Sequence, residues 1–196
     1  MKSFKFVFSC LSLVSLITVA AAPALFTQAE ASGLTDIFSD KPIVVAVRKG
    51  SVEDTNAALI DGTSANSKSA DEMPILVIAV AQDNFPLVKL LIENGARPDD
   101  KSKDETTALT LAASNGNLEI VNYLLEHAAD VNEPGSLRET AIIKAARAHQ
   151  NGVIKSLIAK GANLQETDAS GSTALDIAQR AGWTDTVELL KKAGAS

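Results

Sequence analysis

Apolar and polar positions follow a helical rhythm in the segment TALTLAASNGNLEIVNYLLEHAADVN, which starts at Thr107. Leu109 and Ala112 lie three apart before Gly116, and Val121 and Leu124 lie three apart after it. Steps of three keep side chains on one helix face, so the segment predicts two short amphipathic helices joined at a glycine. Sliding the chain by 33 residues brings the same pattern back without a gap: TAIIKAARAHQNGVIKSLIAKGANLQ from Thr140 and TALDIAQRAGWTDTVELLKKAGA from Thr173. Moving 33 residues towards the N-terminus finds PILVIAVAQDNFPLVKLLIENGARP at Pro74, and a further 33 finds KPIVVAVRKGSVEDTNAALIDGT at Lys41. A period of this length is the mark of a repeat architecture.

The aligned columns assign roles. Ile43, Leu76, Leu109, Ile142 and Leu175 share a register, and three residues on stand Ala46, Ala79, Ala112, Ala145 and Ala178. An all-alanine column predicts a place where the neighbouring helix approaches too closely for a larger side chain. Thr55, Val88, Val121, Ile154 and Val187, followed by Ala58, Leu91, Leu124, Leu157 and Leu190, define the buried face of the second helix. Turns between the helices fall at Gly50, Asp83, Gly116, His149 and Gly182, and the helix ends at Gly62, Gly95, Ala128, Gly161 and Gly194. Glycine there supplies a left-handed cap; Ala128 is the poor fit and predicts local strain or a different turn. Pro86 falls at the start of its second helix, where its missing N–H costs nothing. One such helix pair cannot bury its apolar faces alone, so the pairs must stack on one another.

The pattern T-A-L-x-L-A-A…G-x-x-x-I-V-x-L-L-x-x-G-A-D-V-N resembles the ankyrin repeat. It is clearest at 107–132 and 173–195, intermediate at 74–99 and 140–165, and weakest in the first copy, where Thr55 and Ala58 replace larger apolar residues. The resemblance implies an all-α solenoid of five stacked helix-turn-helix repeats with short hairpin loops, at about 36–68, 69–101, 102–134, 135–167 and 168–196. It further implies an L-shaped stack, capping repeats at both ends, no catalysis, and a concave face of hairpin tips and first helices that grips a partner protein. In the family, two columns at the ends of the first helices face that groove: Arg48, Ala81, Ser114, Arg147, Arg180, and Lys49, Gln82, Asn115, Ala148, Ala181. Arg48, Lys49, Gln82, Asn115, Arg147 and Arg180 are therefore the candidate binding residues. The arginines are expected as local positive points able to meet carboxylates bidentately.

Composition changes this picture little. Aromatic residues make up 4% of the chain and alanine and leucine carry most of the apolar content, which suits closely packed helices. Basic residues are scattered, without the concentrated positive surface that sequence-independent nucleic-acid binding requires. His127 and His149 hold different repeat positions and form no metal pair. No nucleophile elbow, zinc-protease motif or phosphate loop occurs. Neither an enzyme, a cofactor nor a small-molecule substrate is expected. Three side chains predict exposure or capping: Met73 and Leu137 in the loops before first helices, and Trp183 at the opening of the last helix.

The N-terminus is of a different kind. Lys2 and Lys5 precede an apolar run from Phe6 to about Ala22, and small-residue cleavage sites follow at Ala22-Pro23-Ala24 and Ala29-Glu30-Ala31. This predicts a signal peptide at 1–31 and a repeat domain at 32–196. Without residues 1–31 there remain 16 basic and 23 acidic residues, a net charge of −7. Cys10, the single cysteine, lies inside the apolar run, so the exported part has no disulfide and is stabilised by packing alone. The expected protein is a monomer in the periplasm that binds another protein. The alternative is an envelope structural module facing the periplasm and held in the inner membrane by an uncleaved N-terminal helix, with membrane contact in that case only.

Overall fold

The computed structural model describes residues 40–195. The signal peptide, its cleavage sites and the first residues of the repeat domain expected at 32–39 lie outside the described residues.

The described part contains ten α-helices in five pairs: α1 (Pro42–Arg48) with α2 (Val52–Ile60), α3 (Ile75–Ala81) with α4 (Phe85–Glu93), α5 (Ala108–Asn115) with α6 (Leu118–Glu126), α7 (Ala141–Arg147) with α8 (Asn151–Ala159), and α9 (Ala174–Ala181) with α10 (Thr184–Lys192). The fold is the all-α repeat solenoid that the periodicity predicts. First helices pack on first helices from α1 to α9, and second helices on second helices from α2 to α10. Helices of seven to nine residues are too short to persist alone, so each owes its existence to this stacking. Among the described residues no helix is long and apolar enough to cross a membrane.

Local sequence sets the helix starts. Ser51, Asn84 and Asn117 each accept a hydrogen bond from the amide three residues on, at 3.1, 3.2 and 2.9 Å, and so cap α2, α4 and α6. Thr107 and Thr173 form full capping boxes with Thr110 and Asp176. At Thr140 the third helical residue is Ile143, which cannot return the bond, and the buried Thr140 hydroxyl has no partner. Pro42 and Pro86 sit in the first turns of α1 and α4, as their missing amides allow.

The core is the set of columns. Ile43, Leu76, Leu109, Ile142 and Leu175 are buried, as are the five alanines Ala46, Ala79, Ala112, Ala145 and Ala178. On the second helices Val88, Val121, Ile154, Leu91, Leu124, Leu157 and Leu190 are buried, while Ala58 and Val187 pack on the core from its edge. Thr55 is buried too, its hydroxyl donating to the Ser51 carbonyl at 2.7 Å.

One bonded ladder holds the repeats in register. Asn66, Asp99 and Asn132 accept the backbone amides of Arg97, Asp130 and Asn163 at 2.8, 3.1 and 2.7 Å, each reaching 31 residues ahead. The hairpins repeat one closure: the amides of Ser69, Ser102, Gly135 and Asp168 donate to the carbonyls of Met73, Thr106, Glu139 and Ser172 at 2.9, 3.1, 3.0 and 3.0 Å. Ala128 keeps the common turn, at φ 64, so the poor fit is met by strain and not by a different turn.

Candidate functional site

All six residues that the groove columns single out lie at one end of the first helices. Arg48, Asn115 and Arg147 end α1, α5 and α7; Lys49 and Gln82 are the C-caps of α1 and α3; Arg180 is in the last turn of α9. Each is exposed. The position suits the cations, since carbonyls left without partners at a helix C-terminus carry partial negative charge. The Gln82 amide donates to the Arg48 carbonyl at 2.8 Å and so ties α3 to α1.

Two of the arginines are already engaged. Arg48 pairs with Asp71 of the first hairpin at 3.2 Å. Arg147 donates through Nε to Glu139 at 2.7 Å and through Nη2 to Asp168 at 2.9 Å. Carboxylates of the chain itself meet these two guanidinium groups. The reason is geometric: a long arginine side chain at the C-terminal end of a first helix reaches hairpin residues, Asp71 from Arg48 and both Glu139 and Asp168 from Arg147. Arg180 bonds to neutral oxygens, the Ser172 hydroxyl and, at 3.4 Å, the Asp176 carbonyl.

Around Arg147 the site becomes a chain of charges. The Glu139 side chain is only 4% exposed and accepts Lys144 on its other oxygen at 2.5 Å. Asp168, 6% exposed, accepts the Ser170 hydroxyl at 2.6 Å and the Ser170 and Ser172 amides at 2.8 and 3.0 Å on the oxygen turned away from Arg147. The Ser170 hydroxyl, then the Ser172 amide, then the Ser170 amide and last Arg147 hold the Asp168 carboxyl below the ordinary value, against the opposing effect of burial. A continuous line thus runs Lys144–Glu139–Arg147–Asp168–Ser172–Arg180. Such pairs contribute little net stability after desolvation, but they fix where each side chain points.

Glu139 and Asp168 were not among the residues selected from the sequence. The available signal was slight: Asp168 stands in the column of Ser69, Ser102 and Gly135, where Ser69 and Ser102 also accept an amide four residues on. A second cluster lies at the turns of the last two pairs. The His149 ring stacks on Trp183 with centroids 4.7 Å apart at 17°, and its Nε2 lies 3.0 Å from Asp185. That hydrogen bond is the main reason the Asp185 pKa is lowered. On the second-helix face Phe85 meets Tyr123 edge-on at 5.3 Å. Among the described residues no group of three or more His, Cys, Asp or Glu is placed to hold a metal.

Helix pairs stacked first helix on first helix and second on second define a repeat solenoid. The ankyrin-repeat family, described as ankyrin repeats in three copies, matches the chain at residues 43–135 and 131–196, and the chain belongs to this family. Ankyrin repeats are generally protein–protein interaction modules, and the fold is typically non-catalytic. No curated protein matches the chain in sequence.

Proposed function

We propose that this protein is a non-catalytic scaffold of the periplasm or cell envelope, holding a partner protein against its hairpins and the C-terminal ends of its first helices. The observation that carries this is the bonded line through Arg147 and Arg180, in which the buried Glu139, Asp168 and Ser172 fix two exposed guanidinium groups before a partner arrives. Preorganisation of this kind lowers the ordering cost of association. Gln82 and Asn115 provide the neutral middle of the face, and Arg48 and Lys49 its far end. Export rests on the sequence of residues 1–31, with its basic head, apolar run and small-residue cleavage sites.

The test is capture from the envelope fraction with the full chain and an Arg147→Ala/Arg180→Ala variant, with circular dichroism to check folding. Specific capture that falls at least about tenfold in a folded variant is the expected result. Unchanged capture removes this face. Arg180→Ala alone, which leaves Glu139 and Asp168 paired, covers the case in which the double variant unfolds. N-terminal sequencing of the cellular protein is expected to begin near Ser32 or Ala24, and retention of Met1 in membranes would favour the anchored form.

A further inference from the structure

The third hairpin departs from the others at its tip. In the first, second and fourth hairpins one residue near the tip is left-handed: Glu72 at φ 61, Glu105 at φ 57 and Gly171 at φ 79. The third has two in succession, Leu137 at φ 57 and Arg138 at φ 59. A bulky side chain in this region is strained, and strain that the fold maintains concentrates at ligand-binding positions.

The strained tip stands on a firm base. The Gly135 amide closes the hairpin on the Glu139 carbonyl at 3.0 Å, and the Leu137 carbonyl accepts the Ala169 amide of the next hairpin at 2.8 Å. The Glu139 side chain is clamped beneath by Lys144 and Arg147. What this base holds up is an apolar knob: Leu137 is 69% exposed, whereas the matching positions are Asp71, Asp104 and Ser170. Among the described residues no other large exposed hydrophobic lies on a hairpin.

Charge indicates the occupant. Asp71, Glu72, Asp104 and Glu105 make the exposed tips of the first two hairpins acidic despite Lys103. The third and fourth tips carry no exposed carboxylate. Arg138 is exposed beside Leu137, and Arg147 and Arg180 lie behind, joined through Asp168 and Ser172. We infer that Leu137 and Arg138 are the anchor of the binding face, and that they take an acidic segment of a partner protein whose aliphatic or aromatic side chain packs on Leu137 while its carboxylates meet Arg138 and Arg180. This rests on the proposed scaffold function and names the partner's chemistry.

The probe is a display library of short random linear peptides, selected on the folded protein. Enriched peptides should pair Asp or Glu with a neighbouring aliphatic or aromatic residue. Leu137→Asn removes the knob at a residue type that accepts a left-handed backbone. It is expected to melt at a higher temperature than the parent yet to bind the selected peptides at least about tenfold more weakly, while Leu137→Met retains them. Arg138→Glu should weaken binding and flatten its salt dependence. Peptides that lack acidic residues, or no enrichment at all, overturn the inference. So does binding that survives Leu137→Asn; if that binding is still lost in Arg147→Ala/Arg180→Ala, the scaffold reading stands and only the anchor is wrong.

Discussion

Ala128 follows the C-cap of α6 with φ 64, in a position where the other four pairs place glycine. A left-handed alanine costs about 1 kcal/mol or more because its Cβ crowds the following carbonyl. Ala128 is exposed, so removal of its methyl group sacrifices no core packing. Ala128→Gly should therefore stabilise the protein by about 1 kcal/mol, or roughly 2–4 °C in melting temperature, and paired thermal melts check it. A lower melting temperature would mean that glycine's extra freedom in the unfolded chain outweighs the relieved strain. His149, also left-handed at φ 57, is offset differently, by its stack on Trp183 and its bond to Asp185. The turn at His149 was legible in the sequence from its column. Its contacts were not, since Trp183 and Asp185 lie 34 and 36 residues away and meet it only when α7–α8 and α9–α10 stack.

At the scale of elements, the alanine column decides how closely the first helices approach. Ala79, Ala112, Ala145 and Ala178 are completely buried, and α5 and α7 share the most extensive packing of any pair. Ala112→Leu should lower stability by roughly 1–3 kcal/mol through overpacking. Leu124→Ala should cost roughly 2–5 kcal/mol, because Leu124 is fully buried in α6 and its loss leaves a cavity between repeats. Urea unfolding of both variants checks the pair; a neutral Ala112→Leu would show that the stack can open there without penalty. The hairpins show where element-level prediction stops. Their positions were legible, but Glu139 reads as an ordinary loop carboxylate until Lys144, Arg147 and the adjoining hairpin close over it.

For the whole molecule, stability is approximately a sum over helix pairs and their interfaces, so weak pairs should open first. The first pair is the weak one. Thr55 is the only buried residue of α2, whereas α4 buries Leu87, Val88, Leu91 and Ile92. Trp183 is the single tryptophan of the chain and lies at the other end of the stack. As urea rises, far-UV circular dichroism should begin to fall before Trp183 fluorescence changes. Coincident transitions would show that the stack unfolds as one unit despite the thin first interface.

The sequence alone determined the period, the helix faces, the turn positions and the family, because each is set by local spacing: three residues between stacked side chains, 33 between copies. It also placed Arg48, Lys49, Gln82, Asn115, Arg147 and Arg180 on one line. Only the tertiary structure decided what those residues do there. Charges attract across space and not along the chain: Arg48 and Arg147 each meet a carboxylate from a hairpin 23 and 21 residues further on. The left-handed tip at Leu137 depends on the same kind of closure, since the bond that braces it comes from Ala169 in the next hairpin.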